Sequence, residues 1–341
     1  MEFSFSIACV KGTQAGKTYY TAMVPLKVLA SVFQFEDDEL PPEQRSQRQL
    51  NERRAEQIAG YIMQNQEQYV FSSITANINV DDAIFEPVAG LPNVGFLRFS
   101  AGCRIIVLDG QHRQRGIQIA LSNIPTLGDE HISVDFHLGT DLSRRQQIFS
   151  DLNLYASKPN SSITLLFNHR DADSERTKQV VEQVDVFRIL CEKEATTIRK
   201  RSIKLFTLNA IHEANQKLLK GVAEDKCLSL AVAFWSMVCE YIPDWQAVMR
   251  RQMEPSEVRQ ERIHCNAIAL IAIGIVGNKL ITKENKQDWQ QLSFLQQIDW
   301  SRSNPDWEGK CTFAGRIQKN ERTVAALTDY LIARHKQFLK G

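Results

Sequence analysis

No run of about 18 apolar residues occurs in the 341-residue sequence, so no membrane-crossing helix is expected. The opening residues Met1 to Ser6 carry neither the basic stretch nor the apolar centre of a signal peptide, and a cytoplasmic chain is expected. Cysteine pairs are missing as well. The seven cysteines, at 9, 103, 191, 227, 239, 265 and 311, include no Cys-x-x-Cys. That dispersal argues for reduced thiols and against a structural zinc site. There is no surplus of one charge: 41 basic residues face 40 acidic ones, for a net +1. Indiscriminate coating of nucleic acid runs on phosphate neutralisation, so any such surface here must be local. Internal repeats and low-complexity segments are absent. What remains is an ordinary globular composition, long enough for one large or two smaller domains.

Against that background one pentapeptide stands out, Asp109-Gly110-Gln111-His112-Arg113. It follows the β-branched and apolar run Ile105 to Leu108 and precedes a helical pattern from Gln114 to Leu121. A strand that stops at Asp-Gly and restarts as a helix presents unpaired N–H groups and partial positive charge to an anion. Gly110 would let a ligand approach the backbone. His112 and Arg113 would add donors, Arg113 in bidentate fashion. The alternative is structural: Asp109 as N-cap, Gly110 as turn, and His112 with Arg113 as a solvated first turn.

The first part of the chain alternates strand and helix patterns. Phe3 to Val10 and Lys17 to Met23 suggest a hairpin with Gly12 and Gly16 in its turn. Pro25 to Phe33 suggests a short helix opened by proline, Glu36 to Pro42 a loop, and Gln47 to Asn65 an amphipathic helix. Ile74 to Val80, Gly95 to Phe99, Arg104 to Leu108 and Ile132 to Leu138 are predicted strands, and Ser143 is placed to cap a helix running through Leu152. The second part is nearly all helical: Ser174 to Glu194, Ile203 to Lys220, Leu228 to Arg250, Ser256 to Leu280, Lys283 to Gln297 and Glu321 to Leu339. The charged stretch Asn168 to Glu175 suggests a boundary. The fold class is therefore mixed α/β (α+β) over residues 1–168 and mostly helical over 169–341.

Gly12-Thr13-Gln14-Ala15-Gly16-Lys17-Thr18 imitates a phosphate-binding P-loop but is one residue short between its glycines. The strand-favouring Tyr19-Tyr20-Thr21 follows where a helix is needed, so a glycine hairpin is the better account. His212-Glu213 starts like a zinc-protease motif, but Gln216 stands where the second histidine belongs. Two basic clusters are candidates for DNA phosphates: Arg45, Arg48, Arg53 and Arg54, and the run Arg199, Lys200, Arg201 and Lys204. Each is equally readable as a solvated face. The second run is placed to open a helix whose N-terminus would dock on a phosphate.

The pentapeptide resembles the signature of the DGQHR-domain family, which is similar to the ParB and sulfiredoxin superfamily. The surrounding order agrees: Arg48 to Arg54 leading into Ile58 to Ile62, then Ser73 to Val80, and downstream Ile148 to Asn153 before Lys158 to Ser161. Gly12 to Tyr20 and Ile298 to Arg302 extend the likeness over most of the chain. The resemblance implies a ParB-like N-terminal domain and a DNA-binding transcriptional regulator, a repressor, of a DNA phosphorothioation gene cluster. It implies a phosphate or nucleotide site at Asp109, Gly110, Gln111, His112 and Arg113, with Asn153 facing the same cleft. The alternative for Asn153 is a left-handed residue ending its helix. The implied partners are promoter DNA of its own cluster, other phosphorothioation proteins and, in some arrangement, a second copy of the chain. Two other functions stay open. One is a nucleoside-triphosphate hydrolase in which Asp109 helps hold a magnesium ion. The other is a scaffold that contacts only proteins.

Overall fold

The structure is a computed structural model describing residues 5–34, 41, 43, 45–46, 49–100, 102–155, 158–284 and 289–340. The loop expected over Glu36 to Pro42 and the basic residue Arg48 fall largely or wholly outside the described residues. Strand β1 (Phe5–Gln14) turns directly into β2 (Lys17–Pro25), with Gln14 opposite Lys17. The two turn residues, Ala15 and Gly16, have φ of 49° and 72°. Two consecutive positive φ values match the twist of a two-residue hairpin. Gly12 is not in the turn, as the alternation suggested, but in the ladder opposite Tyr19. A Cβ there would lie 2.8 Å from the Tyr19 ring, so a glycine lets the ring lie across the strand. The P-loop look-alike is thus a hairpin with no helix behind it.

Helix α1 (Leu26–Val32) begins at Pro25 and is followed by the short β3 (Phe33–Gln34), α2 (Glu52–Gln64), β4 (Ile74–Ile78), β5 (Ala83–Val88), β6 (Leu91–Phe99) and β7 (Ile105–Asp109). Then come α3 (Gln111–Asn123), β8 (His131–Leu138) and α4 (Leu142–Leu154). The strands form one mixed sheet in the order β3-β7-β4-β8-β2-β1-β6-β5. On one face Val24, Leu29, Ile74, Ile78, Val107 and Phe136 make the core with Ile117 of α3. On the other, Ile148 of α4 covers Ile106 and Leu108. β7 is therefore buried on both sides, which explains its unbroken apolar run. β4 lies between β7 and β8, the strand that precedes α4. The cap of α4 is Asp141, whose Oδ1 accepts the Arg144 N–H at 2.7 Å, and not Ser143. β5 was not expected from the pattern. It carries Pro87 and forms the sheet edge, where a missing N–H is tolerated.

The chain divides into two compact units, Met1–Ser157 and Lys158–Gly341. In the second, helices α5 (Ser161–Phe167), α6 (Ala172–Gln183) and α7 (Asp185–Leu190) lead to β9 (Cys191–Glu192). β10 (Phe206–Thr207) follows, then α8 (Leu208–Leu218), α9 (Glu224–Tyr241), α10 (Pro243–Met249), α11 (Pro255–Glu261), α12 (Ala267–Glu284) and α13 (Glu321–Phe338). The long helices expected from periodicity are broken. The predicted Ser174–Glu194 helix stops at Val184 and restarts, and Pro243 separates α9 from α10 because it cannot continue the ladder. Trp289–Gln297 is a 3-10 helix rather than the end of an α-helix. Phe187, Phe206, Trp235 and Trp245 pack edge-on in the centre, with Ile268 to Ile273 of α12 around them. His264 is fully buried there: its Nδ1 accepts the Trp245 indole N–H at 2.9 Å, so Nε2 carries the proton and faces Asp244 at 2.9 Å. All seven cysteines are buried free thiols, and burial pushes Cys191 and Cys265 up to about 12. No described helix is long and apolar enough to cross a membrane.

Candidate functional site: the cleft at the start of α3

Strand β7 ends at Asp109, and Gly110 takes φ 99°, ψ 14°. That left-handed conformation is costly for any residue with a Cβ. A Cβ would also lie 3.0 Å from Ile74 and 3.1 Å from the Arg113 guanidinium. Gly110 is thus the N-cap of α3, and no side chain caps the helix; Asp109 stays in the strand.

Arg113 does not reach outward. Its Nη1 donates to the Ser72 carbonyl at 2.5 Å, the Ser72 hydroxyl at 2.6 Å and the Ser73 carbonyl at 2.7 Å. Its Nη2 donates to Asp109 Oδ2 at 2.6 Å. The side chain is 16% exposed, and burial pushes its pKa down while the Asp109 carboxylate opposes that shift. The expected bidentate grip on phosphate is therefore used internally, tying the first turn of α3 to the chain entering β4. His112 is also committed. It is 6% exposed, and its Nε2 accepts the Asn51 N–H at 3.1 Å. An accepting Nε2 means a neutral imidazole and not a cation with two donors.

Asn51 is the N-cap of α2, its Oδ1 receiving the Arg54 N–H at 3.1 Å. The motif histidine so anchors the start of α2 beside the start of α3. The two helices approach closely because residue 116 is glycine: a Cβ there would lie 2.6 Å from Ile58 and 3.0 Å from the Ala55 carbonyl. This packing turns Arg54 toward the motif.

A polar cleft of about 340 Å³ results. Its wall runs from Asp109 to Arg113 and takes in Arg54, Ser72, Phe149 and Asn153. Arg54 is exposed and, among the described residues, its side chain has neither an ion pair nor a hydrogen bond. Asn153 lies inside α4 rather than in a left-handed terminal position; the helix ends at Tyr155, φ −95°. Its Nδ2 donates to the Phe149 carbonyl at 2.8 Å. Phe149 and Asn153, four residues apart, share the helix face that lines the cleft. That spacing was visible in the sequence, whereas Ser72 lies in irregular chain and gave no signal. Arg53 is exposed on α2 but does not line the cleft. Among the described residues Asp109 is the one carboxylate lining the cleft, and they hold no group of three or more His, Cys, Asp or Glu arranged for a metal ion.

Arg199, Lys200, Arg201 and Lys204 belong to the second unit. The helix expected to open at Ile203 starts instead at Leu208, with Thr207 as its cap, so the basic run is a loop.

Fold and site together define a mixed α/β unit with a polar cleft, on a chain whose second unit is mostly helical. The chain belongs to the DndB family, described as DNA-sulfur modification-associated, which matches residues 7–337. No curated protein matches it. Among solved structures it is similar to the C-terminally truncated chromosome-partitioning protein ParB from Caulobacter crescentus complexed with CTP-gamma-S, at 14% identity. That match covers 77% of this chain and 99% of the other, with a TM-score of 0.28. A likeness of that size fixes neither topology nor ligand.

Proposed function

We propose that this chain is a DNA-binding regulator of a DNA sulfur-modification gene cluster, acting on the promoter of that cluster. We further propose that the cleft at the start of α3 holds the phosphates of a nucleotide that tunes DNA binding. The observation that carries the first part is the family match over nearly the whole chain. The second part rests on Arg54, a cation without a partner among the described residues, beside a helix start that no side chain caps. In this reading Arg54 supplies the charge, the first amides of α3 supply directed donors, and Asn153 supplies a polar contact from α4. Asp109 and Arg113 shape the cleft rather than touch the ligand. A ligand bridging α2, α3 and α4 shifts DNA affinity only if it binds two states of the protein differently.

One observation weighs against the hydrolase alternative. Asp109, the carboxylate assigned to magnesium in that alternative, has Oδ2 bound to Arg113. The test is a mobility shift on the promoter of the cluster, at a series of salt concentrations, with and without nucleoside triphosphate. Salt-sensitive binding that nucleotide alters, with the nucleotide effect lost in Arg54→Ala, is expected. Absence of salt-sensitive binding would leave the protein-only scaffold ahead, because phosphate contacts must release counterions.

A further inference from the structure

The second unit carries a charged feature of another kind. β9 and β10 pair in parallel, Cys191 opposite Phe206, and the Leu205 N–H donates to the Leu190 carbonyl at 2.8 Å. The two ends of the segment between them are so pinned side by side. Its far end carries Arg199, Lys200 and Arg201 in succession, all exposed. No acidic residue occurs from Ala195 to Leu205.

Beneath this loop lies Arg259 of α11. One guanidinium holds four carbonyls: Nη1 donates to Ser202 at 2.8 Å and Lys204 at 2.5 Å, and Nη2 to Lys200 at 2.7 Å and Arg199 at 3.2 Å. Lys204 Nζ donates to the Ile189 carbonyl at 2.6 Å. Five cations are thus gathered with no carboxylate paired to them among the described residues. Elsewhere in the same unit Arg176, Lys178, Arg188, Lys193 and Arg262 each meet a carboxylate. The four carbonyls satisfy the Arg259 guanidinium, but they leave the exposed Arg199, Lys200 and Arg201 without an opposite charge among the described residues. A polyanion supplies that charge. Beside the loop a cavity of about 370 Å³ is lined by Thr196, Thr197 and Thr207, whose hydroxyls suit phosphate and sugar oxygens.

We propose that the 199–204 loop is a preformed seat for the phosphate backbone of duplex DNA, and that Arg259 is its positioning residue. The proposal rests on the DNA-binding reading above and adds the surface that makes contact. Arg259 draws the loop carbonyls inward and fixes the chain that bears Arg199, Lys200 and Arg201. Ordering that chain beforehand lowers the cost of binding.

The experiment is fluorescence anisotropy of the full chain on duplex DNA across a salt series. Changing Arg199, Lys200 and Arg201 to Gln together should weaken binding by about tenfold or more at moderate salt. It should also make the slope of log K against log salt shallower by roughly 2 to 3. Arg259→Lys keeps the charge but cannot hold four carbonyls. It should weaken binding and speed tryptic cleavage within residues 199–201, with little change of slope. In the wild-type chain those same tryptic bonds should resist cleavage, an outcome independent of how the variant folds. If wild type binds with a salt slope and the triple variant matches it, the seat is elsewhere and only this inference falls. If wild type does not bind DNA at all, the regulator reading falls and takes the seat with it. Rapid cleavage of the wild-type loop, or an Arg259→Lys chain equal to wild type in both readouts, overturns the positioning role alone.

Discussion

Arg113 and Arg54 show how two guanidiniums lining one cleft take different work. Arg113 has lost most of its water and replaced it with two carbonyls, a hydroxyl and a carboxylate. Removing it leaves those acceptors and Asp109 without partners in a half-closed site. Arg113→Ala should therefore cost roughly 1.5–3 kcal/mol in urea unfolding, the range for hydrogen bonds to charged groups. Arg54→Ala removes an exposed, unpaired cation and should change stability by less than about 0.5 kcal/mol, while weakening binding of a phosphate ligand. Equal stability losses in the two variants would show that the assigned roles are wrong. Sequence alone tells what a guanidinium can grip, not what it grips. The acceptors of Arg113 lie up to 41 residues upstream in chain without pattern. For that reason the turn itself was legible in the sequence, whereas the internal bonding of its arginine to Ser72, Ser73 and Asp109 was not.

The packing of α2 on α3 sets the cleft, and Gly116 is where it is most exposed to change. Gly116→Ala would push a methyl into Ile58 and the Ala55 carbonyl. Overpacking of this kind costs about 1–3 kcal/mol, and here it would also shift Arg54 away from the motif. A lowered melting temperature together with lost ligand binding is expected; an unshifted melt would mean that the helices slide apart freely. Elements held by local pattern were readable: the β7–Gly110–α3 passage, the hairpin, α4 and α13. Elements decided by distant contacts were not. β5 is an edge strand whose partner defines it, and the basic loop is shaped by Arg259, 55 residues beyond Lys204. Helices in the second unit were located but run together, because apolar periodicity continues across breaks such as Val184 and Pro243.

At the scale of the whole chain, burial depresses three imidazoles, His137, His212 and His264, below their ordinary 6.5. The unfolded chain takes up these protons near 6.5, the folded chain only at lower pH. Below 6.5 the unfolded state therefore binds more protons, and stability falls as pH falls through the native values. Asp244 adds to this at lower pH: its hydrogen bond from His264 holds its carboxyl below the usual 3.8, so its contribution is present above that value and lost beneath it. The melting temperature should be level from about pH 7 to 8 and decline from about 6.5 downward, and His264→Gln should shallow the decline. A melt independent of pH between 7 and 5 would contradict the lowered imidazole pKa values.

The internal use of His112 and Arg113 has a bearing on other chains that carry the same five letters. A pentapeptide whose side chains close a joint is kept by folding whether or not anything is bound there. In this chain the five letters therefore describe a joint in the fold and do not by themselves name an activity. Under the proposed function the residue to inspect for a ligand is Arg54, one helix away and outside the motif.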